Sequence, residues 1–183
     1  MFGLRTGFAT PHAVADSPSV ALPNIDPSDA HCLNAAIGWA ELGLHAEAHA
    51  ELDRLPRSLL AHPQVLDVRW KTYALAKDWE AALVTARGQV HVAPDEVAGW
   101  INQSYTLHEM KRTGEAFDAL SAVAAEFPGE GTIPYNLACY TCQMGRLEEA
   151  RFWLNEARCL IGKDALRKMG KDDPDLKRLR SEI

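Results

Sequence analysis

From residue 29 onward, apolar and small residues recur at helical spacing, and polar residues fill the positions between them. Leu107 and Met110, then Ala116, Phe117, Leu120, Val123 and Ala124, follow the three-and-four alternation that puts side chains on one face of a helix. Between such stretches stand turn signals. Gly43 and Gly145 each lie five residues ahead of an alanine, Ala48 and Ala150, where a helix ending in a left-handed residue would place its glycine. Lys77-Asp78 supplies a turn followed by an N-cap at the matching place. The pattern therefore predicts pairs of helices joined by tight turns. Stronger breakers, Pro94-Asp95, Pro128-Gly129 and Gly162, separate one pair from the next. Asp95 is placed to cap the helix that carries Trp100, and Asp26-Pro27 and Asp173-Pro174 read as an N-cap followed by proline at the first helical position. Pro56 and Pro63 shift the punctuation early and predict a short second helix in the first pair.

The pairs are periodic. Ala48, Ala82, Ala116 and Ala150 recur at one constant interval, and other columns keep step with them. Four residues later come Leu52, Ala86, Leu120 and Leu154; twelve earlier come Ala36, Trp70, Ser104 and Ala138, small except for the tryptophan. Small residues in such columns let two helices cross at short distance, while larger ones fill the neighbouring groove. Each hairpin then leaves an apolar face that the next hairpin buries, so the ends need caps. Ala165, Leu166 and Met169, followed by Leu176 and Leu179, give the residues after Gly162 that role.

A two-helix unit of about 34 residues with a small residue at the crossing and proline at its end resembles the tetratricopeptide repeat (TPR). The fourth unit is the closest, with Tyr135-Asn136-Leu137-Ala138-Cys139-Tyr140 followed by Gly145-Arg146-Leu147-Glu148-Glu149-Ala150. The first unit departs from the pattern by lacking the terminal proline, and the second by carrying Trp70. The resemblance implies an all-α, right-handed TPR-type α-solenoid of helix-turn-helix hairpins with a C-terminal capping helix. The expected organisation is an extended or disordered segment over 1–28, four hairpins over 29–62, 63–96, 97–130 and 131–162, and capping helices over 163–183. Phe2, Leu4 and Phe8 in the first segment are candidates to dock on the stack or on a partner.

Composition narrows the function. The 183 residues are 47% hydrophobic and 24% charged. These values are in the range of folded domains and too apolar for general disorder. A net charge of −6 argues against nucleic acid or an anionic membrane as partner, since both reward clustered positive charge. The late run of Lys and Arg from Lys163 to Arg180 is interleaved with Asp164, Asp172, Asp173 and Asp175 and reads as a solvated terminal helix, with a patch for an acidic partner the alternative. No stretch approaches the length of a membrane span, and the first fifteen residues lack the continuous apolar segment of a cleavable signal, so a cytoplasmic location is expected. Four cysteines are too few for a secreted disulfide framework and read as reduced thiols.

Few residues suggest chemistry. Cys139 and Cys142 form a C-x-x-C inside a predicted helix, where neither four zinc ligands nor a helix N-terminus is at hand, and they read as packing residues. His45 and His49 lie one turn apart, but Glu47 sits two residues after the first histidine rather than directly after it, unlike a metalloprotease helix. No catalytic residue, metal or cofactor is expected.

The TPR resemblance implies that the first helix of each hairpin lines a concave groove. Carried over by register, the candidate contacts are Asn34, Lys71, Ile101, Asn102, Tyr105, His108, Tyr135 and Asn136. Asn34, Asn102 and Asn136 share one column, where an amide can bond either an extended peptide or the solenoid itself. Tyr105 and Tyr135 are the amphipathic anchors that binding surfaces favour. With Lys71 the one base among these positions apart from His108, a clamp for acidic tails is not expected. The implied function is a protein–protein interaction module, an adaptor or assembly scaffold that takes a peptide or helix of a partner, with self-association a second use of the surface. A small all-TPR chaperone for one client is the alternative, and a thiol or metal enzyme the weaker one.

Overall fold

The structure is a computed structural model that describes residues 23–183, so most of the 1–28 segment, with Phe2, Leu4 and Phe8, lies outside the described residues. All of its regular elements are helical. The α-helices are α1 (Pro27–Glu41), α2 (His45–Asp53), α3 (Pro63–Leu75), α4 (Trp79–Val92), α5 (Val97–Glu109), α6 (Thr113–Ser121), α7 (Thr132–Gln143), α8 (Leu147–Ile161) and α9 (Lys163–Gly170). Short 3₁₀ segments follow α2, α6 and α9, at Arg57–Leu59, Ala124–Glu126 and Lys177–Glu182. Helices pack in successive pairs, α1 with α2, α3 with α4, α5 with α6 and α7 with α8, and each pair packs on the next.

One turn geometry joins every pair. Gly43, Lys77, Lys111 and Gly145 all have positive φ, of 77°, 57°, 64° and 78°. In each case the residue after it donates its N–H to the carbonyl five residues back, as Leu44 does to Trp39, Asp78 to Tyr73, Arg112 to Leu107 and Arg146 to Thr141, all at 2.9 Å. The left-handed residue itself donates to the carbonyl three back. These are Schellman caps, which satisfy carbonyls that a helix end leaves open. The glycines of the first and fourth hairpins were legible; lysine does the same work in the second and third at a steric cost of about 1 kcal/mol each.

N-termini are secured more variously. Asp26 Oδ1 accepts from the N–H groups of Ser28 (2.8 Å) and Asp29 (2.9 Å), ahead of Pro27 at the first helical position, as the sequence suggests. Asp78 likewise accepts from Ala81 N–H at 3.2 Å. Asp95 does not cap α5. Glu96 takes the N-cap place in extended backbone with no side-chain bond, and the entry is tied instead by Trp100, whose Nε1–H donates to the Pro94 carbonyl at 2.9 Å. Nor does a helix start at Asp173-Pro174. Asp173 Oδ1 accepts from the Asp175 N–H at 2.9 Å, an Asx turn that delays the next helical segment to Lys177. α2 is short at nine residues, as expected, but so is α6, where the chain leaves the helix to bury Val123.

Ala48, Ala82, Ala116 and Ala150 have no exposed surface, and neither have Ala36, Ser104 and Ala138. Buried apolar side chains nonetheless form two clusters. One runs from Leu33 to Val68 through the first hairpin and the start of the second. The other begins at Leu83 and extends through the fourth hairpin to Leu166, Leu176 and Leu179. Trp70, in a column otherwise small, stands at the seam and only partly buried, with its Nε1–H donating to Thr106 Oγ1 of α5 at 2.9 Å. Beyond the fourth hairpin, α9 contributes Leu166 while Ala165 and Met169 stay exposed; Leu176 and Leu179 complete the cap.

Candidate functional site

The face made by the first helices of the hairpins divides into a filled half and an open half. The filled half lies on α5 and α7, where the chain's last residues fold back. Tyr135 O–H donates to Asp173 Oδ2 at 2.5 Å, and Cys139 Sγ lies 3.8 Å from the same oxygen. His108 Nε2 meets Asp175 Oδ2 at 2.9 Å, and its Nδ1 meets Thr113 Oγ1 at 3.1 Å. A carboxylate only accepts, so Nε2 carries the proton and Nδ1 accepts the Thr113 hydroxyl when the ring is neutral. Gln143 Nε2 adds a bond to the Asp175 carbonyl at 3.1 Å.

The thiols and phenols of this half are driven toward their neutral forms. Burial first, then the Asp173 and Asp175 charges, pushes the Cys139 thiol well above its ordinary range, and burial raises Cys142. Burial and the bond to Asp173 likewise raise Tyr135. A nucleophilic or metal-binding thiol needs the opposite environment. Cys139 and Cys142 are both buried, whereas His45 and His49 are half-buried, with His49 stacked on Tyr73 at 4.3 Å between ring centroids. No group of three or more His, Cys, Asp or Glu among the described residues is placed to hold a metal ion.

The open half lies on α1, α3 and α5. A cleft of about 530 Å³ is lined by Leu33, Asn34 and Ile37 of α1, by Gln64, Asp67, Val68 and Lys71 of α3, and by Gln89 and Gly99 at the α4–α5 junction. A second cleft, of about 460 Å³, shares Ile37, Val68 and Lys71 with the first and continues past Trp70, Leu75, Trp79 and Tyr105. Both volumes fall in the range of about 300–1,000 Å³ usual for ligand sites. Gly99 marks how tightly α4 and α5 cross under the first cleft, since a Cβ there would stand 2.9 Å from the Val90 backbone nitrogen.

The eight candidate residues are thus distributed unevenly. Asn34 is exposed and lines the first cleft; Lys71 lines both and pairs with Asp67 at 2.6 Å on its own helix. Tyr105, 38% exposed, walls the second. Ile101 is half-buried against the larger core, and Asn136 is half-buried on α7. Asn102 is buried, its Nδ2 donating to Gln89 Oε1 at 3.0 Å and to Asp67 Oδ1 at 3.3 Å, so that this amide organises the floor beneath the first cleft. His108 and Tyr135 are buried under the returning chain. Reading by register missed Trp79 and Gln89, which lie on α4 and reach the clefts from behind; the Trp70 departure was the one signal that pointed there.

No family model matches the sequence, and no curated protein matches it either. Solved structures do. MamA (MSR-1, C2) superposes with a TM-score of 0.57 over 70% of this chain and 74% of its own, at 22% identity. The RS-1 ArsTM double mutant of MamA gives a TM-score of 0.60 over 82% of this chain and 80% of its own, at 14% identity. The fold is a TPR-type α-solenoid. At these identities the likeness speaks for architecture: an all-α, right-handed stack of helical hairpins closed by a C-terminal capping helix. No helix among the described residues is long and apolar enough to cross a membrane.

Proposed function

We propose that the chain is a non-enzymatic binding module, an adaptor or assembly scaffold, that holds a peptide or helix of a partner protein along α1, α3 and α5. In this reading the four helix pairs act as TPR units over 29–62, 63–96, 97–130 and 131–162, and the protein works in the cytoplasm. The observation that carries it is the pair of adjoining clefts on that face. Ile37, Leu75 and Tyr105 expose 38%, 55% and 38% of their surface there, on helices whose other faces are buried. Apolar and aromatic groups held open by a rigid scaffold supply binding energy at little ordering cost to the receptor.

The supporting polar groups fit the same use. Asn34 at the rim offers a donor and an acceptor to an extended backbone, while Asn102 is already bound within the fold. Asn102 thus takes the intramolecular role in the asparagine column, and in this reading Asn34 is left to the partner.

Site-specific photo-crosslinking tests the proposal. A benzophenone side chain at Ile37 or Leu75 is expected to capture a discrete partner from the source cell. The same group at Phe152 of α8, equally exposed at 55% but on the second helix of its hairpin, is not. Equal capture at Phe152, or capture there alone, overturns the reading; one dominant client held before its delivery elsewhere would turn the scaffold into a chaperone.

A further inference from the structure

The second cleft is an aromatic corner set in negative charge. Tyr105 stands between Trp70 and Trp79, its ring centroid 6.2 Å from each and its plane at 77° and 68° to theirs. Tyr105 thus meets each indole edge to face, and all three residues line one cleft, whose aromatic wall suits a cation. Trp70 is held in place by its bond to Thr106, so this wall is preset.

The charges around the corner are mainly carboxylates. Glu41 lines the cleft, and Glu109 lies one helical turn beyond Tyr105 on α5; burial first, then Glu109, holds the Tyr105 hydroxyl above its ordinary range. Lys71 is the one lysine or arginine lining the cleft among the described residues, and Asp67 pairs with it. Ile37 and Leu75 at the mouth provide apolar surface for an aliphatic stem.

We propose that this cleft receives an arginine side chain from a basic segment of the partner protein. The guanidinium lies against the Trp70, Trp79 and Tyr105 rings, its N–H groups face Glu41 and Glu109, and its methylene stem crosses Ile37. Arginine fits better than lysine because a planar, weakly hydrated cation stacks on aromatic faces and leaves water more readily. The proposal rests on the groove reading above and gives the partner its chemistry.

The test is titration of ¹⁵N-labelled full-length protein, following the tryptophan indole N–H resonances, with an acetylated, amidated repeat of Gly-Ser-Arg and with the same peptide carrying citrulline. Citrulline keeps the shape and removes the charge. The arginine peptide is expected to shift the Trp70 and Trp79 signals saturably and to bind about tenfold tighter than the citrulline peptide, between the ratios that exposed and fully desolvated cation–π contacts give. Tyr105→Leu leaves the net charge unchanged and is expected to lose most of that ratio; Glu41→Gln, at an exposed site, is expected to reduce it. Equal affinity for the two peptides, no binding of either, or full arginine preference in Tyr105→Leu would each overturn the proposal, the last by assigning binding to the general acidity of the surface. A partner crosslinked at Ile37 whose docked segment contains no arginine would leave the groove reading standing and sink this one.

Discussion

Gly99→Ala and Gly88→Ala set two opposing effects against each other within one helix crossing. Alanine is the better helix former by about 0.8–1 kcal/mol in a helix interior. Gly88 lies within α4, and a Cβ there meets nothing within 4 Å, so the full gain is available. Gly88→Ala should therefore stabilise the fold by about 0.5–1 kcal/mol. Gly99 lies in the first turn of α5, where the propensity gain is smaller, and its Cβ would stand 2.9 Å from Val90 N and 3.0 Å from Gln89 Cβ. The first contact is with backbone and cannot be relieved by a rotamer change; α4 and α5 must separate. Overpacking of this kind costs about 1–3 kcal/mol, which outweighs the propensity term and leaves Gly99→Ala about 1–2 kcal/mol less stable than wild type. Separation also stretches the Asn102–Gln89 bond, so the first cleft should lose affinity for any ligand it holds. Urea denaturation followed by far-ultraviolet circular dichroism measures both variants on one scale. A Gly99→Ala midpoint at or above that of Gly88→Ala would refute the crossing geometry.

Other expectations are more local. Lys77 and Lys111 both sit at positive φ in Schellman turns. Lys77→Gly and Lys111→Gly should each stabilise by up to about 1 kcal/mol, and a loss in the urea midpoint would show that their side chains matter more than the strain. A thiol reagent should label exposed Cys159 quickly in the native protein and reach Cys139 and Cys142 only on unfolding, and prompt labelling of Cys139 would contradict its raised pKa. Tyr135→Phe removes the phenol donor from Asp173. That change should cost about 1–2 kcal/mol, and an unchanged urea midpoint would show that water replaces the donor. Burial, and then Arg69, hold the His49 pKa below its ordinary 6.5, so the unfolded chain binds the extra proton. The His49 contribution is therefore complete above about pH 6.5 and drains away as pH falls toward the folded value; His49→Asn should flatten the stability profile there, and an unaltered slope would remove His49 from the account.

The fold was legible because packing repeats. Ala48, Ala82, Ala116 and Ala150 are all fully buried, each on the second helix of its pair, so the same small residue at one spacing stands out against the composition. Gly43 and Gly145 were legible for the same reason, and Lys77-Asp78 reads as a turn through its aspartate cap, whereas Lys111 adopts the same backbone with no residue that announces it. The filled half of the site was not legible. Asp173 meets Tyr135, and Asp175 meets His108, across 38 and 67 residues, each through a single polar pair. Such contacts leave no period. Register places His108 and Tyr135 correctly on the first helices but cannot tell that the end of the chain will cover them. Asn102 shows the same gap, since its partners Gln89 and Asp67 lie on two other helices.

Trp70 shows how a departure from the pattern becomes informative. In the other three hairpins its column holds Ala36, Ser104 and Ala138, which disappear into the crossing, and an indole cannot. Its nitrogen reaches Thr106 on the next hairpin instead, and its ring walls a cleft. The same place is the seam between the two buried clusters: Val68 belongs to the first, Leu83 to the second, and Trp70 lies between them in the chain. The residue that departs from its column thus stands both at the seam between the two clusters and in the wall of the second cleft, where the proposed recognition would give up local packing.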